Sequence, residues 1–237
     1  GLMLRGDFGN SFRFRTPALP LVLERLPATI QLSLAAIVVA LIIGIPAGLL
    51  SAIYQNSPLD FLVTTASTLG RAMPNFWIGI MLILIFAVQL RVLPVSGRQH
   101  PAAIILPAVT LGSGIATVIA RILRSSMLEV MRQEYITTAR AKGLPEHRVL
   151  FRHAMRNALI PTITVFGLQM AWLLGGAVIV ENVFAWPGLG RLMLASVLVR
   201  DLSVVQAGVF VFALVVMVTN LLVDLSYSLL DPRIRYS

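Results

Sequence analysis

The chain of 237 residues is 57% hydrophobic and only 12% charged, with a mean hydropathy of +0.87 and a formal net charge of +9. An ordinary soluble domain carries about 25% charged residues, so this composition excludes a soluble globular domain, a disordered chain and a coiled coil, and it points to a polytopic membrane protein. The absence of cysteine excludes disulfides, thiolate metal sites and a cysteine nucleophile.

Residues 1–27 carry Arg, Asp, Glu and Pro, show no signal peptide, and read as an external segment. The first of five uncharged runs long enough to cross hydrocarbon is Ala28–Ile53, where Pro46 between Gly44 and Gly48 predicts a kink. Next, Ser57 as cap, Pro58 at the first helical position and Asp60 in the first turn predict a helix from Pro58. That helix is expected to bend at Pro74 and continue through the second run, Ala72–Leu90. The third, fourth and fifth runs are Pro101–Ala120, Asn157–Val180 and Leu202–Val223. Stretches such as IVVALIIGIPAGLL show no apolar–polar alternation, so the crossings are helices rather than barrel strands. The expected fold class is an all-α membrane bundle over 28–230, with a cytoplasmic tail at 231–237.

Between the third and fourth runs, Arg121–Arg156 holds eight of the nineteen cations. Such loops concentrate on the cytoplasmic side, which places 132–156 there and Arg91–His100 and Glu181–Asp201 outside. Arg121–Met131 extends the third helix amphipathically. Glu134–Lys142 reads as a short helix, acidic at its start and basic at its end, with Gly143 as its left-handed cap. Pro145 and Glu146 restart a second short helix, whose apolar stripe is Val149, Leu150, Phe151 and Ala154. Such a helix pair can lie on the bilayer or dock into a groove of a soluble partner, and the residues alone leave both open.

The segments MPNFWIGIML, LPVSG, LPAVTLG with ARILRSSMLEV, EYITTARAKGL, RHAMRNALIP and VENVFAWPGLGRL follow one another in order. Together they resemble the permease (transmembrane) subunits of bacterial ABC importers, dipeptide/oligopeptide/nickel branch, over nearly the whole chain. The resemblance implies a type I ABC importer permease-like bundle, multi-pass in the bacterial inner membrane, with a further span preceding residue 1. It implies half of a translocation pathway for peptides or a related small solute, shared with a second permease subunit, identical or homologous. The implied partners are two ABC ATPase subunits that hold ATP and magnesium, an extracytoplasmic solute-binding protein and membrane lipid. No cofactor in this chain and no nucleic acid are implied.

By position, Thr137, Thr138, Ala139 and Gly143 occupy the EAA-x-x-x-G places of that family, the first two departing from Glu-Ala. The resemblance makes Glu134, Tyr135, Thr138, Ala139, Arg140, Lys142, Gly143, His153 and Asn157 the candidate ATPase-coupling residues. Ala139 would allow close packing against the partner, and Gly143 the turn. Glu181, Phe184, Trp186, Pro187, Gly188 and Gly190 are read as an external gate or binding-protein contact, or as an interfacial aromatic belt with a re-entrant turn. Glu181 is expected to pair with Arg191 or Arg200, or to be solvated. Asn75 and Gln169 are the neutral polar candidates for lining the pathway, or for bonding between helices.

Enzyme chemistry has no constellation here: GxxxxGK[ST], G-x-S-x-G and H-E-x-x-H are absent, and His100, His147 and His153 are scattered. The chain is expected to be a transporter subunit that leaves ATP hydrolysis to a partner. The alternative, an ATP-independent channel or secondary carrier, is disfavoured for proton coupling because the runs hold so few ionisable groups, Arg71 and Asp224 being at their ends.

Overall fold

A computed structural model describes residues 7–230. The segment before Ala18 precedes helix α1, Ala18–Ile53. Helix α2 spans Pro58–Ala72, and α3 spans Asn75–Leu82 before widening into a π-helical stretch, Ile83–Gln89. A 3-10 turn, Pro101–Ile104, leads into α4, Ile105–Met131, which is followed by α5, Glu134–Ala141. The single turn α6, Glu146–Arg148, runs through a π-helical stretch, Val149–Ala154, into α7, Met155–Val183. Helices α8, Leu189–Leu198, and α9, Leu202–Leu230, follow, and there is no strand among the described residues.

Three of these helices are long and apolar enough to cross a membrane: Ala18–Ile53, Pro101–Met131 (with its 3-10 turn) and the Leu202–Val223 part of α9. The number becomes five when each of two broken pairs, Pro58–Ala72 with Asn75–Gln89 and Glu146–Met170 with Gly175–Val183, counts as one crossing. The predicted capping of α2 is present: Ser57 accepts from the Asp60 N–H, Pro58 stands at the first position, and the helix stops before Pro74. Other boundaries differ from the apolar runs. Helix α1 begins at Ala18 rather than Ala28, because the exposed Glu24 interrupts an uncharged run without interrupting a helix whose opposite face is buried. Its helical backbone also passes through Pro46 without a break. The second loop helix is only one turn long before it merges into α7, and α8 lies within Glu181–Asp201, which was read as an external segment with no helix assigned to it. The tail 231–237 and residues 1–6 lie outside the described residues.

The chain forms two compact units. One comprises the described parts of Gly1–Ile37, Pro74–Gly112 and Met170–Leu222. In its core Ala18 and Val22, one helical turn apart, pack with Leu189 and Leu192 of α8 and with Val204, Ala207 and Val211 of α9. Phe8 joins this cluster, and the Ser11 hydroxyl and Arg13 N–H donate to Asp201 Oδ2, tying the N-terminal segment to the start of α9.

The other unit comprises the described parts of Val38–Met73, Ser113–Gln169 and Val223–Ser237. Here Gly44 and Gly48 bring the α1 backbone against α4: a Cβ on Gly44 would lie 2.9 Å from Ala116 O, and one on Gly48 2.6 Å from Ala120 O. This is the small-xxx-small contact by which membrane helices pack closely. Below it, Leu49 and Ala52 of α1 join Leu123 and Met127 of α4 in a core shared with α5 and the start of α7.

Candidate functional site

The α5 region is built as a surface on a fixed base. Ile136 and Ala139, three residues apart on one face, are buried with Leu49, Leu123, Met127, Val149, Ala154 and Ala158. The other face leaves Glu134, Tyr135, Thr138, Arg140 and Lys142 exposed. The close packing that Ala139 permits is therefore made within this chain, on its own core, and not outward as the sequence position suggested. Gly143 closes the helix with φ +75°, and its N–H donates to Arg140 O at 2.9 Å. The turn is clipped by Arg140, whose Nε and Nη2 donate to the two Glu146 carboxylate oxygens at 3.2 and 2.6 Å. Asn157 Nδ2 donates to the Tyr135 hydroxyl oxygen at 2.7 Å, joining α5 to α7, while His153 is half-buried.

In the other unit, the Val180–Leu192 segment is fastened from inside. Glu181 is fully buried; its Oε1 accepts from the Thr29 hydroxyl at 2.6 Å and its Oε2 from the Arg191 N–H at 3.0 Å. The Leu189 N–H donates to the same Thr29 oxygen at 2.8 Å. Glu181 is thus neither solvated nor ion-paired: the Arg191 guanidinium donates to Ala185 O instead, so the carboxylate is met by a backbone amide. Phe184 and Trp186 are also buried, the Trp186 Nε1–H donating to Ala28 O at 2.8 Å and the Phe184 carbonyl accepting from the Gly97 N–H at 3.0 Å. Gly188 and Gly190 are buried where side chains would collide, the first with the Glu181 carboxylate and the second with Val178. Pro187 is half-buried.

Apolar helices, a helical clip on a packed base and a fastened turn after α7 occur together in a chain whose residues 44–236 match the model of the family described as binding-protein-dependent transport system inner membrane component. The chain belongs to that family. This permease is 44% identical over 249 residues to the oligopeptide transport system permease protein AppB of Bacillus subtilis (strain 168), covering all of this chain and 78% of that protein. It is 42% identical over 233 residues to the glutathione transport system permease protein GsiC of Escherichia coli (strain K12), covering 98% and 76%. Among solved structures, an inward-facing MetNI methionine ABC transporter matches with a TM-score of 0.76 at 19% identity, over 89% of this chain and 96% of that one, which shows the fold. The permease is therefore an inner-membrane ABC importer subunit and not an enzyme; family members work with ATPase subunits, a second permease and a binding protein. Permease subunits of this kind carry no cofactor of their own.

The two pathway candidates fall in different units: Asn75 is half-buried at the first position of α3, and Gln169 is half-buried on α7. One constellation of the permease went unread in the sequence. Asp60 is buried at the start of α2, where its oxygens accept from Arg124 Nε and Nη2 at 2.7 and 2.8 Å, from the Ser51 hydroxyl and from the Asn56 N–H at 2.9 Å. The carboxylate thus joins the end of α1, the start of α2 and the middle of α4. The available signal was faint: one acid in the first turn of α2 and one of the eight cations of 121–156, 64 positions along the chain.

Proposed function

We propose that this permease forms half of the pathway for peptides or a related small solute, and that the exposed face of α5 docks into the ATPase subunit from the cytoplasm. Two ATPase subunits holding ATP and magnesium, and a second permease, homologous or identical, complete the importer. ATP-driven closure of the ATPases pulls on α5 and the 143–157 turn, and the helices anchored on the same core switch the pathway between inward- and outward-facing. The observation that carries this reading is the division of α5 into a buried face, Ile136 and Ala139, and a polar outer face, Glu134, Tyr135, Thr138, Arg140 and Lys142. The peptide substrate is supported by relatives named for oligopeptide, glutathione and dipeptide transport at 41–44% identity.

The Glu181–Gly190 segment then acts as a rigid external element, with Pro187 and its neighbours meeting the binding protein while Glu181, Phe184 and Trp186 hold it in shape from within. The test is reconstitution into liposomes with ATPase subunits and binding protein. Thr138→Trp, which adds bulk to the outer face alone, is expected to release the ATPase subunits or to leave ATP hydrolysis without uptake. Coupled, wild-type-like uptake by that variant would sink the docking assignment.

A further inference from the structure

Arg124, held by Asp60, lines a cleft of about 410 Å³ between α2 and α4. The volume falls in the range of small-molecule sites, about 300–1,000 Å³, and is far larger than a single ion needs. Two further arginines line it: Arg71 from α2 and Arg121 from α4. Among the described residues neither has an ion pair or hydrogen-bond partner; Arg121 lies in a helix apolar enough to cross a membrane, and Arg71 in one that passes only together with Asn75–Gln89. Both are exposed at the cleft, so their guanidiniums are free to donate charge-assisted hydrogen bonds to an anion there. Asp60 neutralises Arg124 alone, so the cleft keeps a surplus of positive charge.

The remaining lining mixes the hydroxyls of Thr64, Ser67, Thr68 and Thr117 with the apolar Val63, Ala72 and Ala120. Thr68 donates its hydroxyl to Thr64 O at 2.9 Å and Thr117 donates to Gly114 O at 2.8 Å, which leaves their oxygen lone pairs as acceptors on the cleft wall. On α2 the exposed apolar residues Leu62 and Leu69 fall on the face opposite Thr64, Thr68 and Arg71. A lipid would place its acyl chains on that other face, whereas a solute with a carboxylate at one end and N–H donors along its length matches the cleft.

We infer that the cleft binds the carboxylate of a small solute passing through the permease, with Arg71 and Arg121 as its ligating cations and Asp60 positioning Arg124 beside them. This deepens the peptide reading above and rests on it.

The test uses the whole importer without its binding protein, so that the latter's selectivity does not enter, held nucleotide-free in phosphatidylcholine nanodiscs. Equilibrium dialysis compares the dipeptide alanyl-phenylalanine with its C-terminal amide at low ionic strength. The free acid is expected to bind about tenfold tighter than the amide. Arg71→Gln with Arg121→Gln is expected to erase that preference, and Arg71→Lys with Arg121→Lys to restore part of it, a rescue that charge alone explains. Retention of the ATPase subunits on gel filtration checks assembly of each variant. Equal binding of acid and amide, no binding of the acid, or a preference that survives the double glutamine variant overturns the inference. So does a phosphatidylglycerol nanodisc in which lipid excludes the acid and is itself released by the glutamine variant. ATP-driven uptake with the binding protein present is read separately: no peptide uptake defeats the peptide reading, whereas uptake without acid preference at the cleft defeats only this assignment.

Discussion

A Cβ placed on Gly188 would fall on the Glu181 carboxylate, which the Thr29 hydroxyl and the Arg191 N–H already fix. Because that carboxylate cannot withdraw without losing both donors, Gly188→Ala is expected to destabilise the permease by about 1–3 kcal/mol, the usual cost of overpacking. Thr29→Val should have a similar effect, since it leaves the carboxylate and the Leu189 N–H short of a partner, at about 1–3 kcal/mol. Thermal unfolding of the purified importer reads both, and an unchanged midpoint for Gly188→Ala would show that the loop yields. Asp201, outside the spans, behaves differently. Burial raises its carboxyl, but the Ser11 hydroxyl and the Arg13 N–H help to outweigh that and hold it below the ordinary aspartate value. A group so depressed stabilises above its unfolded pKa, about 3.9, and loses that contribution as pH falls through its folded value. The N-terminal segment should therefore stay attached at neutral pH and loosen only in acid below about pH 4. Hydrogen exchange at Arg13 and Phe14 measures this. Asp201→Asn should exchange faster at neutral pH and lose the acid dependence; identical rates in that variant would count against the tie.

At the scale of elements, α5 and its turn show what local rules reach. The glutamate start, the basic end and the left-handed glycine are nearest-neighbour features, so Glu134, Arg140 and Gly143 announce the helix in the sequence. Likewise Ser57, Pro58 and Asp60 announce α2. What stayed hidden depends on partners far along the chain. The Glu181 bond to Thr29 spans 152 positions and the Asp60 bond to Arg124 spans 64, so no periodicity reports them. The inward direction of Ala139 was in principle legible, because it shares a helical face with Ile136, but a small residue carries little hydropathy signal. Nothing lies within 4 Å of a Cβ built on Gly143, so that glycine is required for its backbone and not for space within the chain. Gly143→Ala should cost about 1–2 kcal/mol of local strain, and Gly143→Asn less, because Asn tolerates this region. Uptake in proteoliposomes is expected to fall in the order glycine, asparagine, alanine, valine. Valine equal to glycine would mean that the turn does not transmit. The exposed Arg140–Glu146 clip should matter little to stability, about 0.2–1 kcal/mol, so Glu146→Gln is expected to leave the unfolding midpoint nearly unchanged.

Across the whole molecule the apolar residues that make up so much of the sequence do not all go inward. On α9, Val204, Ala207 and Val211 are buried, whereas Phe210, Leu214, Met217, Val218 and Leu221 are exposed along the other side at helical spacing. In water such a stripe would drive aggregation; against lipid or a second apolar subunit it is the stable arrangement, because acyl chains are as apolar as leucine. That is why composition alone was enough to exclude a soluble fold, while it could not say which apolar residues form the core. Leu214 lies near the middle of the Leu202–Val223 stretch and is 41% exposed, so its environment is set by what surrounds the permease rather than by its own core. Leu214→Arg places a charge there at a cost of about 2.5–3.5 kcal/mol on the insertion scale. Because the side chain is outside the core, the cost falls on insertion and assembly, not on internal packing. The variant should therefore be depleted from carbonate-washed membranes and from the assembled importer, whereas Leu214→Met should accumulate normally. An arginine variant that inserts and assembles at the wild-type level would mean that this face of α9 meets water, and the membrane placement of the helix would have to be redrawn.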